Sequence, residues 1–260
     1  MKIILVAPKT IIKNRYDQIV WNFLLPMKGL GHDVTMFDTS KLNDDDLAVK
    51  IKAVKPDLLF CMMTGDRKYC PNEPWKTVKK ETERGVIKTF NWFCDDAWRF
   101  EDFSSKVAKV FTAVSTTEFS AVEKYKAIGI ENIRHANWHA NAVLYGNVPT
   151  RKEYDVTFVG NIQYPHRMEA ANRFVQENIP LNVCCNLPFE EMVRVMAKSK
   201  ICLNFSRNPN APHPGYQMKA RLFEVAAVNS LLVTETTPGL DKFFKPSEEC
   251  VVFGDLDDLI

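Results

Sequence analysis

The stretch QMKARLFEVAA at Gln217–Ala227 is followed at Leu231–Glu235 by LLVTE, an amphipathic helix pattern and then an apolar strand pattern. Gln217, Arg221 and Glu224 are spaced by four and three residues, so a helix would present them on one face. A glutamate can accept hydrogen bonds from the paired hydroxyls of a ribose, and an arginine fork matches a diphosphate. The alternative is an ion pair between Arg221 and Glu224 on an exposed helix surface.

Outward from this stretch, the C-terminal half alternates apolar runs with amphipathic segments. The predicted strands are Asp155–Val159, Leu181–Cys185, Ile201–Phe205, Leu231–Thr234 and Cys250–Phe253. The predicted helices are Arg167–Asn178, Phe189–Lys198, Gln217–Val228 and Leu240–Phe244. Such alternation is typical of βαβ units around a parallel sheet.

The N-terminal half shows the same alternation. Its predicted strands are Lys2–Ala7, Asp33–Phe37, Asp57–Met62, Val86–Phe93, Val110–Val114 and Asn132–Ala136. Its predicted helices are Asp17–Lys28, Asp45–Val54, Trp75–Arg84 and Thr116–Ala127. Gly85 and Gly129 stand where helix ends are expected, because glycine adopts the left-handed conformation that often closes a helix.

A polar segment with Gly146 and Pro149 separates the two halves, so we predict domains of residues 1–148 and 149–260. The predicted fold class is α/β, with two Rossmann-like domains that face each other across a cleft and a short C-terminal domain. Hydrophobic residues are 46% and charged residues 25% of the chain, as in ordinary folded proteins. A net charge of +2 neither requires nor excludes a polyanionic partner.

The sequence also indicates a compartment. No apolar run is long enough to span a bilayer, and Met1–Lys9 leads into a strand pattern instead of a cleavable signal. The seven cysteines form no C-x-x-C pair and mostly lie in apolar runs. We therefore expect a cytoplasmic protein with reduced thiols and no membrane span.

In an open α/β sheet, ligands bind beyond the carboxyl ends of the strands. This rule selects Gly160, Asn161, Ser206, Arg207 and Glu235 in the second domain, and Pro8, Lys9, Asp66, Arg67, Cys94, Asp95 and Asp96 in the first. Asp95, Asp96 and, with a weaker claim, Asp66 are candidates to position or deprotonate an acceptor hydroxyl. Helix capping is the alternative role for Asp95 or Asp96.

The C-terminal half carries several segments in a characteristic order and spacing: YDVTFVGN at Tyr154–Asn161, Arg167, KICLNFS at Lys200–Ser206, and the two segments quoted first. In this the chain resembles the CgeB-like (spore maturation) glycosyltransferases, relatives of glycosyltransferase group 1. The segments GHDVTMFD and NWFCDDAW of the N-terminal half fit more loosely. The resemblance implies the GT-B fold and a hexosyl- or pentosyltransferase that moves a sugar from a nucleoside diphosphate sugar to an acceptor hydroxyl, with retention of anomeric configuration.

The resemblance also implies roles for single residues. Glu224 matches the second glutamate of the group 1 Glu-x(7)-Glu motif, which is expected to hold the donor ribose. The first glutamate falls at Tyr216, so the contact to the donor sugar would pass to Tyr216 or Gln217. Asn229 stands where the family usually has glycine, and asparagine tolerates the left-handed conformation that such a turn needs.

Enzymes of this kind use fixed cations for the leaving diphosphate where other glycosyltransferases use a metal ion. The resemblance assigns this role to Arg167, together with Arg221 or Lys219. Gly160, Asn161 and Ser206 complete the expected donor-binding set. The alternative for Arg167 is a solvated residue in the first turn of a helix.

We predict no metal ion and no cofactor other than the nucleotide-sugar substrate. Asp44, Asp45 and Asp46 offer an Asp-x-Asp pair, but they precede a predicted helix, where aspartates serve as caps. His135 and His139 have the separation of helical metal ligands, yet no third ligand follows at a suitable spacing.

The acceptor is open between a polysaccharide, a protein, a small molecule and a hydroxymethylated DNA base of the kind that phage enzymes modify. Basic residues that could face DNA are Arg67, Lys68, Lys76, Lys79, Lys80, Arg84 and Lys88. Glu81 and Glu83 interrupt this run, so we expect a solvated helix face.

Two other function classes have different support in the sequence. A non-catalytic module that binds nucleotide or nucleotide sugar would fit the absent first glutamate. A Rossmann oxidoreductase is disfavoured because no G-x-G-x-x-G follows the first strand. The family typically continues past Ile260 into helices that cross back, and in a homo-oligomer a second copy could supply that packing.

Overall fold

The computed structural model describes residues 1–9, 18–67, 70–148, 151–208 and 215–260. The chain divides into two compact units, Met1–Asn137 and Trp138–Ile260. Each unit is built on a parallel sheet with helical connections, as the alternation of patterns predicts. No helix within the described ranges combines the length and the apolar character needed to cross a bilayer.

The sheet of the N-terminal unit consists of strands β1 (Lys2–Ala7), β2 (Asp33–Asp38), β3 (Leu58–Cys61), β4 (Lys88–Phe93), β5 (Ala113–Thr116) and β6 (Ile133–His135). Its order is β2-β1-β3-β4-β5-β6, with every pair parallel. Strand β1, KIILVA, lies inside the sheet and buries every residue after Lys2. Its continuous apolar run fits a strand that is covered on both faces.

The helices of the N-terminal unit are α1 (Leu25–Gly29), α2 (Asp44–Val54), α3 (Trp75–Arg84), α4 (Asp96–Arg99), α5 (Ser105–Val107) and α6 (Phe119–Ala127). Two π-helical turns, Val20–Leu24 and Phe100–Ser104, and a 3-10 turn, Ala108–Val110, complete it. Gly85 closes α3 with a φ of 68°, as predicted. Asp17, the predicted start of the first helix, lies outside the described residues.

The sheet of the C-terminal unit consists of β7 (Tyr154–Val159), β8 (Leu181–Cys184), β9 (Ser199–Asn204), β12 (Leu231–Glu235) and β13 (Val251–Phe253). Its order is β13-β12-β9-β7-β8, again parallel throughout. A small antiparallel pair, β10 (Arg207–Asn208) and β11 (Gly215–Tyr216), follows β9.

The helices of this unit are α7 (Ala142–Gly146), α8 (Pro165–Gln176), α9 (Phe189–Ala197), α10 (Ala220–Ala227) and α11 (Leu256–Leu259), with a 3-10 turn at Leu240–Lys242. Asn229 follows α10 with a φ of 56°, so asparagine supplies the left-handed turn there, as predicted. A core of aromatic and aliphatic side chains holds α8 and α11 against the sheet: Phe158, Ala170, Phe174, Leu203, Phe205 and Phe253 are buried. Each large side chain of this kind contributes about 1.5 to 3 kcal/mol through burial.

Two predictions differ from the structure in ways that bear on the site. Helix α10 begins at Ala220, not at Gln217, because Lys219 is an N-cap residue with extended backbone and the N–H of Gln217 donates to Ser206 O at 2.9 Å. The division between the units lies after Asn137, not after residue 148. Helix α7 therefore belongs to the C-terminal unit, where it packs against α10.

Candidate functional site

The carboxyl ends of β7, β9 and β12 lie side by side, because β9 pairs with both of the other strands. Gly160 and Asn161 follow β7, Ser206 and Arg207 follow β9, and Glu235 ends β12. The strand-end rule therefore selects residues that share one edge of the sheet.

The loop after β7 is tightly packed. A Cβ added to Gly160 would lie 2.9 Å from the Phe158 ring, so a larger residue would require the ring to move. The side-chain oxygen of Asn161 accepts a hydrogen bond from Gln163 N at 3.0 Å. These contacts set the path by which the chain enters α8, whose first residue is Pro165.

Arg167 lies in the first turn of α8 and turns back over this loop. Its Nη1 donates to Asn161 O at 2.8 Å. Its guanidinium carbon lies 4.8 Å from the centre of the Tyr164 ring and 5.5 Å from that of Phe158. Burial lowers the pKa of Arg167, but a guanidinium remains charged in proteins. The structure therefore places a fixed cation at the edge of the sheet.

Arg207 and Glu235 are joined across the ends of β9 and β12. The carboxylate of Glu235 accepts from Arg207 N at 2.8 Å and lies 3.7 Å from Arg207 Nη2. Ser206, a predicted donor-binding residue, is fully buried. Its hydroxyl accepts from Asn204 Nδ2 at 3.0 Å and donates to Glu235 O at 3.4 Å, so Ser206 supports Glu235 from within the unit.

Tyr216 and Gln217, the predicted replacements for the first glutamate, lie beside two cations. Gln217 Oε1 accepts from Lys219 Nζ at 2.9 Å and from Asn208 Nδ2 at 3.2 Å. The guanidinium of Arg207 lies 5.9 Å from the centre of the Tyr216 ring. Because Gln217 precedes α10, it does not share a helix face with Arg221 and Glu224, contrary to the prediction.

Glu224 is a buried carboxylate, 1% exposed, on the inner side of α10. Arg221 Nη1 lies 2.8 Å from Glu224 Oε2, and Tyr145 donates its hydroxyl to Glu224 Oε1 at 3.1 Å. The side chain of Arg221 is 17% exposed. The alternative of an exposed surface pair is therefore excluded, because this pair is buried and has a third member from α7.

Four positively charged side chains act on the pKa values of His166 and Arg167, and we refer to these four as the cationic cluster: Arg167, Arg207, Lys219 and Arg221. Burial and the charges of Arg167, Arg207 and Lys219 lower the pKa of His166 to about 4. The charges of Arg221 and Glu235 also act on the pKa of Arg167, in opposite directions. The four positive charges of the cluster outnumber the two negative charges of the buried carboxylates Glu224 and Glu235.

A pocket of about 400 Å³ opens at the same edge of the sheet. Its lining includes His166, Phe205, Arg207, Glu235, Phe253 and Asp255. This volume lies in the range of small-molecule sites. The lining also includes Glu169, Arg173 and Asp257, so the pocket has acidic and basic sides. It shares Arg207 with the cationic cluster, together with the ion-pair partner Glu235.

Sequence reasoning assigns no role to Tyr145, His166, Arg207 or Glu235. The strand-end rule does select Arg207 and Glu235, and His166 could have been found as the neighbour of Arg167. Nothing in the sequence marks Tyr145, which lies 79 residues from Glu224.

Asp96, a candidate of the N-terminal unit, is buried at the start of α4. Its Oδ2 accepts a hydrogen bond from the hydroxyl of Tyr125 at 2.8 Å, and Tyr125 packs against Phe93 and Phe100. Burial raises the pKa of Asp96, while the nearby hydroxyls oppose this effect. The contact ties α6 to α4.

Asp95 is placed differently from its neighbour. It is half-buried and occupies the N-cap position of α4 without a side-chain capping bond. It lines a small depression at the ends of β3 and β4, together with Thr64, Arg99 and Ser104. Of the two aspartates, Asp95 is the one that lines this depression.

Asp66 lies half-buried in the loop after β3, which Glu73 holds in place. The carboxylate of Glu73 accepts from Thr64 N at 2.5 Å, from Gly65 N at 2.7 Å and from Trp75 Nε1 at 3.1 Å. Gly65 has a φ of 67°, in the left-handed region that favours glycine. Burial raises the pKa of Glu73, and these donors oppose the shift.

The residues of the two candidate metal sites have separate surroundings. Asn43 is the N-cap of α2 and Asp46 completes its capping box, while the carboxylate of Asp44 accepts from Thr77 N at 2.7 Å. His135 ends β6 and stacks on Phe119, with ring centres 3.5 Å apart, while His139 lies beyond the strand; the two do not share a helix face. Across the described part of the chain, no three His, Cys, Asp or Glu side chains converge as metal ligands.

The basic run around α3 is partly neutralised. Arg84 Nη1 lies 2.8 Å from Glu81 Oε1, and Lys79 Nζ lies 3.9 Å from Glu83 Oε1. Both acids are on α3 itself, which favours a solvated helix face over a nucleic-acid surface. Lys68 lies outside the described residues.

Comparison with known proteins finds a family match for the C-terminal unit. Residues 134–260 match the family described as glycosyl transferase-like. The spore protein CgeB of Bacillus subtilis (strain 168) is 29% identical over 152 residues, which are 58% of this chain and 41% of that protein. In its C-terminal unit the chain is therefore similar to the CgeB-like relatives of the group 1 glycosyltransferases. It spans about two fifths of the length of this curated relative.

Solved structures extend the likeness to the whole chain. AviGT4, a glycosyltransferase involved in avilamycin A biosynthesis, is similar with a TM-score of 0.62 and 11% identity, over 97% of this chain and 84% of that one. An alpha-glucosyltransferase in complex with UDP and a 13-mer DNA containing an HMU base has a TM-score of 0.56 and 10% identity, over 90% and 79%. At these identities the likeness concerns the fold, and it confirms the predicted GT-B class.

Proposed function

We propose that the chain is a glycosyltransferase whose C-terminal unit binds the nucleoside diphosphate of a sugar donor. The observation that carries this proposal is the cationic cluster at the carboxyl edge of a Rossmann-like sheet, the edge at which such sheets bind ligands. Arginine forks match phosphate oxygens. The family match of this unit supports the activity, and the UDP bound by a protein of similar fold supports the ligand class.

In the proposed reaction, the bond between the anomeric carbon and the diphosphate oxygen breaks, and the diphosphate leaves with the electron pair. Cations that are fixed beforehand stabilise this developing charge without reorganising. Arg167 suits this task best, because Asn161 and the Tyr164 ring already hold its guanidinium. Arg207, Lys219 and Arg221 add to the same field.

The ribose of the donor is proposed to meet Glu224. Because Arg221 covers Oε2 and Tyr145 covers Oε1, the carboxylate is nearly inaccessible in the structure. A diphosphate competes with Glu224 for Arg221, and a ribose hydroxyl can then donate to Oε2 in its place. Donor binding would thus exchange one ion pair for two ligand contacts.

The acceptor is proposed to react at the N-terminal unit. Its oxygen bonds to the anomeric carbon, and its proton passes to a carboxylate. Asp95 fits this role better than Asp96, because it lines a depression while Asp96 is buried against Tyr125. Asp66 is a further candidate, and retention of configuration is the expected stereochemistry.

The cationic cluster is also proposed to replace a metal ion. Fixed guanidinium groups supply the positive charge that Mg²⁺ or Mn²⁺ supplies in other transferases. Binding and transfer should therefore proceed in the presence of EDTA.

Release of nucleotide from UDP-, GDP- and ADP-sugars in EDTA tests this function. We expect one nucleotide to be released above the buffer background, and Arg167→Ala to abolish most of that release. Arg194→Ala, which removes an exposed arginine of α9, is the matched control and should be as active as the wild type. Nucleotide binding without release or transfer to any acceptor would favour a non-catalytic module, and the absence of binding would contradict the proposal.

A further inference from the structure

We propose that Tyr145 is a positioning residue that fixes the carboxylate of Glu224 for the ribose, and thereby sets a preference for ribonucleotides over 2′-deoxyribonucleotides. This inference rests on the proposed function, because it requires Glu224 to meet a ribose. It adds a residue that precedes the predicted donor domain and lies far from Glu224 in sequence.

Tyr145 is held rigidly in place. It is 1% exposed, and its ring packs edge-on against Phe189 with the ring centres 5.6 Å apart. Asn141 caps α7 by accepting from Leu144 N at 3.4 Å. The phenol oxygen therefore has little freedom to move away from Glu224.

Tyr145 and Arg221 both contact the Glu224 carboxylate, but they differ in their access to a ligand. Arg221 is partly exposed and belongs to the cationic cluster, so a diphosphate can draw it away from Oε2. Tyr145 is buried and packs against Phe189 of α9, so its hydroxyl stays on Oε1. Arg221 is the exchangeable contact and Tyr145 is the constant one.

A constant contact on one oxygen fixes the plane of the carboxylate. An ionised carboxylate has about four acceptor sites, so it can bind a ligand hydroxyl while it keeps the phenol. With Oε1 held by the phenol, Oε2 keeps one orientation as Arg221 leaves. The geometry then favours a ligand with a hydroxyl at the matching ribose position, because charged hydrogen bonds are strong and directional.

Calorimetric titration of UDP and 2′-deoxy-UDP in EDTA tests this role, with Tyr145→Phe as the variant. Phenylalanine keeps the ring and removes only the hydroxyl. Tyr125→Phe is the matched control, because it removes an equally buried hydroxyl that donates to a carboxylate in the other unit. Thermal unfolding of each variant verifies that it is folded.

We expect the wild type to prefer UDP by roughly tenfold, the effect of one hydrogen bond to a charged group. Tyr145→Phe should reduce this preference to about two- or threefold, mainly by weakening the binding of UDP. The affinity for 2′-deoxy-UDP should change by less than about twofold, and Tyr125→Phe should leave the preference unchanged. In a Glu224→Gln background, Tyr145→Phe should have no further effect on the preference, because the two residues act as one unit.

Other outcomes contradict either the positioning role of Tyr145 or the proposed function. The positioning role alone is overturned if folded Tyr145→Phe keeps the wild-type preference, or if it weakens the binding of both nucleotides equally. A further loss of preference in the Glu224→Gln background does the same. Failure of the wild-type chain to bind UDP, GDP or ADP overturns the proposed function and removes the basis of this inference.

Discussion

Each unit of the molecule buries a tyrosine hydroxyl against a carboxylate. In the N-terminal unit Tyr125 donates to Asp96 at 2.8 Å, and in the C-terminal unit Tyr145 donates to Glu224 at 3.1 Å. The surroundings differ in charge. Hydroxyl groups surround Asp96, whose pKa is raised by burial, whereas Glu224 is ion-paired with Arg221 beside the cationic cluster.

The two contacts have the same chemical form, but one is structural and the other is a candidate ligand contact. Asp96 is held by buried hydroxyl donors, and its contact with Tyr125 ties two helices together. Glu224 is paired with a partly exposed arginine, and a ligand could displace that contact. The charge of the partners therefore distinguishes these two buried carboxyl groups.

The largest expected effect separates Asp95 from its neighbour. Asp95→Asn should lower the rate of sugar transfer by about 10²- to 10⁴-fold, the usual contribution of a general base. Nucleotide affinity, measured by titration, should stay unchanged because the cationic cluster is intact. An Asp95→Asn enzyme with wild-type transfer would remove Asp95 from the reaction.

Asp96→Ala should lower the free energy of unfolding by about 2 to 3 kcal/mol, because the buried hydroxyl of Tyr125 loses its acceptor and a small cavity forms. Urea unfolding measures this loss, with Asp95→Ala as the comparison, expected within about 0.5 kcal/mol of the wild type. If the two variants were equally stable, Asp96 would not be the structural member of the pair.

Glu224→Gln should weaken UDP binding by roughly tenfold, because the ribose loses a charged acceptor. The amide oxygen can still accept from Tyr145, which limits the loss of stability. Titration with UDP measures the change, and Glu248→Gln, an exposed site, is the control. An unchanged affinity in the folded variant would place the ribose elsewhere.

The smallest effect is a dependence of stability on pH. A carboxyl group with a raised pKa in the folded state stabilises the fold fully below its ordinary value of 3.8, and this contribution is lost as the pH rises through the folded-state pKa. The stability of the wild type relative to Asp96→Asn should therefore fall as the pH rises from about 4 towards neutrality. Urea unfolding over this range measures the difference, and a constant difference would contradict the raised pKa.

Much of the fold follows from the sequence because parallel strands and amphipathic helices leave periodic patterns. The bounds of β1 and α3 agree with the prediction, and the other strands of the two parallel sheets agree within about two residues except β5, which begins at Ala113 and not at Val110. Short elements such as α7, β10 and β11 were not predicted, because a few residues carry too little periodicity to separate them from loops.

The site was predictable only where local rules apply. Residues at strand ends, such as Asn161 and Arg207, follow from the topology of a parallel sheet. The prediction that Gln217 lies in the helix was wrong, because its N–H donates to Ser206 O and the helix begins three residues later. The contact of Tyr145 with Glu224 joins two distant segments, and such pairs are set by packing that a single sequence does not reveal.

The cationic cluster is proposed to bind a nucleoside diphosphate without a metal ion. Calorimetric titration of the purified protein with UDP, GDP, ADP, CMP and TDP in EDTA tests this proposal most directly, with Arg167→Ala in parallel. We expect saturable one-to-one binding of one diphosphate, and we expect Arg167→Ala to weaken that binding by roughly tenfold or more. Absence of binding, or binding that appears only with a divalent metal and ignores Arg167, would contradict it.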